Sequence, residues 1–152
     1  MVMETKSAGP GRFQHFDLSR VDDSPAFVVD VAKVEENLQI LAAISEASGA
    51  RILTALKAFS MWSLSPLIRN YLGGACASGV YEAQLAEKYY LKKDSGQKNK
   101  DAVISVFSPA YRSRDIEALR EICEHVIFNS PAQLEKFADM VREKGGQVGL
   151  RI

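Results

Sequence analysis

The sequence predicts an α/β fold: a parallel sheet wound as part of a (β/α)8 barrel, with about six of the eight βα units present. Three observations predict it. Short, near-continuous apolar runs alternate with stretches of helical period, the pattern of strands covered by helices. The first strand-to-helix turn, Asp30-Val31-Ala32-Lys33, holds no glycine, so the phosphate-binding fingerprint of an open dinucleotide-binding sheet is absent. Six strands cannot close such a barrel, so further strands are expected beyond Ile152.

The elements follow in order. Residues 1–24 read as a lead-in, broken by Gly9-Pro10-Gly11 and closed by the turn-rich Asp22-Asp23-Ser24-Pro25. Residues 25–152 read as the barrel portion. Ala26-Phe27-Val28-Val29 predicts a first strand, and Asp30 is suited to cap a helix marked by Val34, Leu38 and Leu41 and stopped at Gly49. Residues 51–56 predict a second strand. Leu64, Leu67, Ile68 and Tyr71 form a helix stripe, with Pro66 in its first turn and Gly73-Gly74 at its end. Residues 75–78 predict a strand, 81–92 a helix, 93–101 a polar loop and 102–107 a β-branched strand. Ile116, Leu119 and Cys123 mark the next helix, and residues 125–128 the next strand. Ser130-Pro131-Ala132-Gln133 carries a capping-box pattern with proline at the first helical position, before the stripe Leu134, Phe137, Ala138 and Val141. Residues 147–152 predict the last strand.

Composition narrows the function classes. Of 152 residues, 47% are hydrophobic and 25% charged, which describes a globular domain and not a disordered tail. Nineteen basic residues balance nineteen acidic ones, so the basic excess of a nucleic-acid binder is missing. No apolar run approaches the ~20 residues that span a bilayer, and the first twenty residues carry no secretory core segment. Two cysteines, Cys76 and Cys123, make neither a disulfide framework nor a metal spacing. The expectation is a cytoplasmic protein with no nucleic-acid or membrane partner.

In a parallel barrel, chemistry lies where strands end and helices begin. Those positions here are Asp30, Lys57, Ser78, Phe107-Ser108, Asn129 and Arg151. Lys57 stands out, because it sits in the apolar run Thr54-Ala55-Leu56-Lys57-Ala58-Phe59, where a charged ammonium is costly. One reading is a strand-end lysine whose head reaches solvent. The other is a Schiff-base lysine, whose amine must lose its proton to act as a nucleophile. Taken alone, the residue types favour the first.

The surrounding motifs favour the second. Ala55-Leu56-Lys57-Ala58-Phe59-Ser60, Ala75-Cys76-Ala77-Ser78 with Glu82, Phe128-Asn129-Ser130 and Gly149-Leu150-Arg151-Ile152 stand at successive strand ends. In this order they resemble the fold type III pyridoxal-phosphate enzymes, the alanine racemase and ornithine decarboxylase barrel class. Met61-Trp62, Ser108-Pro109-Ala110-Tyr111 and Phe128-Asn129-Ser130-Pro131-Ala132-Gln133-Leu134 bring the resemblance nearer to the carboxynorspermidine decarboxylase branch. It runs from about Ser24 to Ile152.

The resemblance implies pyridoxal 5'-phosphate as cofactor, Lys57 as its Schiff-base lysine, and Arg151 near the cofactor's ring hydroxyl. Ser78 and Glu82 match the third-strand motif, with a helix cap and a surface carboxylate as their structural alternatives. The implied reaction is decarboxylation of carboxynorspermidine or carboxyspermidine in polyamine synthesis, by a homodimer in the complete enzyme. Such enzymes are more than twice this length. Their phosphate-binding turn, the acidic partner of the pyridine nitrogen, the ring-stacking histidine and the β-domain are expected beyond Ile152, which makes this chain an N-terminal portion, inactive alone. Alternatives are a barrel-only pyridoxal-phosphate carrier, a catalytically dead fragment that associates with a complete subunit, or a diaminopimelate- or ornithine-type decarboxylase or amino-acid racemase. Cys76 reads as a small buried filler, Tyr81, Tyr89 and Tyr90 as helix packing, and neither His15 nor His125 carries a partner pattern.

Overall fold

The structure, a computed structural model, describes residues 17–23, 25–91 and 102–152. The expectations for the first part of the lead-in, His15 among them, and for the polar loop with Lys92 lie outside the described residues. The chain divides into two compact units, Met1–Val31 and Ala32–Ile152. In the first, the Asp17 carboxylate accepts the N–H and hydroxyl of Ser19 at 3.0 and 2.8 Å, closing a single 3-10 turn at Leu18–Arg20. Residues 26–30 form no strand, and Phe27 is fully exposed. This corrects the expected first strand. An apolar run signals a demand for burial, but a strand exists only where a ladder satisfies its N–H and C=O groups.

The second unit carries a five-stranded sheet in place of the expected six. Helix α1 (Val31–Ser48) leads into β1 (Thr54–Ala55), and the short α2 (Ser65–Ile68) into β2 (Gly74–Ala77). Then α3 (Val80–Tyr89) precedes β3 (Val103–Phe107), α4 (Ser113–Leu119) precedes β4 (His125–Phe128), and α5 (Pro131–Arg142) precedes β5 (Gln147–Leu150). All four pairings are parallel, and the spatial order is β1-β2-β3-β4-β5. That order decides between the two architectures the alternation allows. A doubly wound sheet reverses direction at a switch point, whereas here each crossover advances to the next strand in one sense. With right-handed crossovers this places the helices on one face. The sheet is one wall of a singly wound barrel.

Register assigns the faces, because paired residues of a parallel sheet point the same way and neighbours along a strand alternate. Ala77, Val106, Val126 and Val148 form one row. The first three are buried, and α3 and α5 pack on this side. Phe128 and Phe137 stack at 6.4 Å between β4 and α5. The opposite row is Ala55, Cys76, Ser105, His125 and Gln147. Its members are small or polar, and none is fully buried. This open face is the side a barrel turns inward.

Helix ends obey the local chemistry the sequence announces. Ser130 caps α5 through its hydroxyl, which accepts the Gln133 N–H at 3.3 Å, with Pro131 in the first position. At α4, the Asp115 carboxylate accepts the Arg112 N–H at 2.9 Å, and that bond holds its pKa below the ordinary value. The Tyr71 hydroxyl donates to Glu35 at 2.7 Å and ties α1 to the turn after α2.

Two predictions follow from the packing. Gly74 has φ +136°, and a Cβ there would strike the Val103 backbone, with the amide nitrogen 2.7 Å away. Gly74→Ala should lower unfolding free energy by more than about 2 kcal/mol in urea titration. Gly79→Ala, where an added Cβ meets nothing, should stay within about 1 kcal/mol. Burial pushes the Cys123 thiol up to about 12. The unfolded thiol ionises near about 8.5, so the folded state holds the extra proton and stability must fall as pH rises from about 9 to 12. In unfolding titrations across that range, Cys123→Ala should remove a slope of up to about 1.4 kcal/mol per pH unit.

Candidate functional site at the carboxyl edge of the sheet

The positions expected to carry chemistry converge on one edge. Lys57 lies in the turn that β1 enters, closed by the Ala58 and Phe59 N–H groups donating to Ala55 O at 3.0 Å each. Ser78 follows β2, Phe107 ends β3, Asn129 follows β4 and Arg151 follows β5. The Arg151 N–H still donates to Phe128 O at 2.9 Å, extending the ladder one residue past β5. By register, Phe107, Ile127 and Gly149 share the open face, and alternation puts Arg151 on it too. A Cβ at Gly149 would lie 2.8 Å from Ile127 Cδ1, so the isoleucine fills the space the glycine leaves.

Lys57 is exposed, as the residue types alone favour for a lysine at a strand end. The run splits by face: Thr54 and Leu56 are buried under the helices, while Lys57 falls past the two-residue strand where nothing covers it. Its amine makes no hydrogen bond or ion pair with any described residue.

Ser78 and Glu82 take different parts from those their types suggest. Gly79, not Ser78, is the N-cap of α3, and no side chain of the cap bonds the helix. Glu82, half-buried in the first turn, accepts the Ser78 N–H at 2.7 Å. The carboxylate therefore fastens the β2 exit and complements the helix dipole. The Ser78 hydroxyl remains uncommitted among the described residues.

Arg151 is exposed, with its guanidinium carbon 4.5 Å from the centroid of the Phe107 ring. It therefore reaches from β5 across the width of β4 to the end of β3. Cys76 is half-buried on the same face, and burial raises its thiol pKa. This is more open than the buried filler expected.

Two sequence motifs without an expected role turn out to hold the edge together. The Gln133 side chain accepts the Tyr111 N–H at 3.1 Å and donates to Pro109 O at 2.9 Å. The buried Tyr111 hydroxyl donates between Ile127 O at 3.0 Å and Val106 O at 3.3 Å, and its ring packs edge-on to Phe128 at 5.6 Å. Burial drives its phenol well above the ordinary value. Gln133 thus leaves the return half of the capping box unmade and joins the first turn of α5 to the loop after β3 instead. The cleft of about 270 Å³ between α1, β1 and α2 has no titratable side chain in its lining, so it offers packing and not chemistry.

The fold and edge define one class: an α/β-barrel wall with its polar groups at the carboxyl ends of parallel strands. Over that wall the chain is homologous to carboxynorspermidine decarboxylases. It is 32% identical over 128 residues to the carboxynorspermidine/carboxyspermidine decarboxylase of Campylobacter jejuni, covering 84% of this chain and 30% of the relative. It is 30% identical to the carboxyaminopropylagmatine decarboxylase of Synechocystis, with 85% and 31% covered. The carboxynorspermidine/carboxyspermidine decarboxylase of Herminiimonas arsenicoxydans matches at 30% identity, with 85% and 32% covered. The crystal structure of carboxynorspermidine decarboxylase complexed with norspermidine from Campylobacter jejuni superimposes with a TM-score of 0.66. That match has 31% identity and covers 77% of this chain and 29% of the other. The chain spans about a third of the length of these relatives. No protein-family model matches it.

The clamp makes a direct prediction. Tyr111→Phe keeps the ring but leaves two carbonyls without their shared donor, so it should cost about 1–2 kcal/mol in urea unfolding. A change below about 0.3 kcal/mol would remove the hydroxyl from the account.

Proposed function

We propose that the chain forms part of a pyridoxal-phosphate decarboxylase whose substrate is an amino acid with a polyamine tail, carboxynorspermidine or carboxyspermidine. The observation that carries the reading is that Lys57, Ser78 and Arg151 all stand at the carboxyl edge of a sheet homologous to those decarboxylases. The complete enzyme is taken to act as a cytoplasmic homodimer. No helix among the described residues is long and apolar enough to cross a membrane.

The donor set fits the cofactor. An uncommitted amine, a hydroxyl and a guanidinium stand on this edge, with the small Ala55 and Cys76 below the first two. Lys57 would hold the cofactor covalently through its amine. Arg151 would donate a charge-assisted hydrogen bond to the oxygen on its ring, and Ser78 a neutral one nearby. When bound, pyridoxal phosphate supplies an electron sink for the pair left behind as carbon dioxide departs. The chain's own task is then to orient: Glu82 fixes the exit at Ser78, and the Tyr111–Gln133 clamp fixes the exits of β3 and β4.

Borohydride reduction with pyridoxal 5'-phosphate, followed by peptide mapping, tests the assignment. The pyridoxyl group is expected on Lys57 ahead of the other exposed lysines, and Lys57→Ala should abolish that label together with release of carbon dioxide from carboxynorspermidine by the complete enzyme. Labelling spread evenly over surface lysines, or decarboxylation that survives Lys57→Ala, overturns the reading.

A further inference from the structure

We propose that Phe107 is the positioning residue for Arg151: its ring holds the guanidinium over the open face so that the N–H groups receive an anionic oxygen of the molecule bound there. The inference rests on the function proposed above and adds to it Phe107, the last residue of β3.

A cation within about 6 Å of a ring centroid is drawn to the π face, and the Arg151 guanidinium carbon lies at 4.5 Å. Arginine is the cation suited to this contact, because its planar guanidinium is weakly hydrated and stacks on aromatic faces. The residue meets no carboxylate and no carbonyl among the described residues through its side chain, so its five donors are all unspent. An arginine serving only to stabilise the fold would be expected to spend those donors on protein acceptors, as Arg120 does at Met140 O and Glu143. A ring face is the one type of partner that restrains the cation without consuming its hydrogen bonds.

The backbone around the pair is fixed on both sides. Phe107 ends β3 in register with Ile127, which is in register with Gly149 two residues before Arg151. The Tyr111 hydroxyl binds the carbonyls of Ile127, within this row, and of Val106, next to Phe107. Arg151 itself is anchored by its N–H to Phe128 O. Both partners therefore stand on ladder-held backbone, and only the long side chain of Arg151 needs restraint. Lys57 stands on the same edge, in the turn that β1 enters at the other end of the sheet.

The test uses the full chain, pyridoxal 5'-phosphate as probe, and Phe107→Leu, Phe107→Tyr, Arg151→Ala and the Phe107→Leu/Arg151→Ala double variant. NMR of the free protein reads the stack directly. The Arg151 side-chain resonances should be shifted upfield by the ring, lose that shift in Phe107→Leu and regain it in Phe107→Tyr. Probe affinity should fall about two- to thirtyfold in Phe107→Leu and recover in Phe107→Tyr. In the Arg151→Ala background, Phe107→Leu should cause no further loss, because Phe107 acts only through the arginine. An equal loss in both backgrounds, no loss in Phe107→Leu, or an Arg151 resonance indifferent to the ring overturns the inference while labelling of Lys57 persists. If the unsubstituted protein shows no probe at Lys57, the proposed function falls and this inference falls with it.

Discussion

Pairing in chain order, strand against next strand and always parallel, is the constraint on which the rest of the molecule depends. Once β1 to β5 lie in that order, right-handed crossovers must cover one face. The other face carries the small and polar row from Ala55 to Gln147, with Phe107 and Ile127 nearer the exits, and every strand exit falls on a single edge. Lys57, Ser78, Phe107, Asn129 and Arg151 are separated by up to 94 positions in sequence, a span that runs from Lys57 to Arg151. Nothing but the register brings them to one edge. The small residues matter as much as the charged ones. Gly74 approaches the Val103 backbone as no other residue could, and Gly149 yields its side-chain space to Ile127.

A sheet this short-stranded needs reinforcement where it ends. β1 has two residues, and β2, β4 and β5 have four each, so the ladder alone fixes few backbone groups near the exits. The Tyr111–Gln133 clamp supplies what the ladder lacks. One side-chain amide joins the start of α5 to the loop after β3, 22 to 24 positions away, and one phenol joins two strands. A net hydrogen bond of this kind contributes about 1 kcal/mol, but leaving its buried partners unmet costs more. The clamp therefore acts chiefly by excluding alternative loop conformations.

Much of this was legible in the sequence, and the limits are instructive. The alternation of apolar runs and helical stripes located β1 to β5 and their helices because burial periodicity is a local property. The Ser130-Pro131 start of α5 was legible for the same reason. Residues 26–29 misled because an apolar run states no partner, and strand formation is a property of pairs. Lys57 was legible as a strand-end residue, and its exposure agrees with what its residue type alone favours. Sequence neighbours on alternating backbone point to opposite faces, so Leu56 says little about the surroundings of the next side chain. Phe107 was marked only as a strand end. Its contact with Arg151 crosses an intervening strand, and no pattern of spacing encodes that distance. Gln133 was legible as a cap residue, yet the long-range bonds its side chain makes are set by which loop the fold brings near.

Charge placement gives the last step. The chain as a whole is balanced, nineteen against nineteen, and its helices spend that balance locally. Lys33 pairs with Glu36, Arg112 with Asp115, Arg120 with Glu143, Arg142 with Asp139 and Lys144 with Glu121. Such exposed pairs stabilise by no more than about 1 kcal/mol each, and a neutral chain has carboxylates enough to have placed one at the barrel edge. It places Glu82 there instead with its oxygen turned to the Ser78 backbone N–H, and leaves Lys57 and Arg151 unpaired among the described residues. They stand at the exits of the first and the last strand of the sheet, and neither spends its charge on a described carboxylate. Local departures from otherwise consistent design are characteristic of functional sites, and this edge is such a departure, with the ring of Phe107 in place of a carboxylate beneath Arg151.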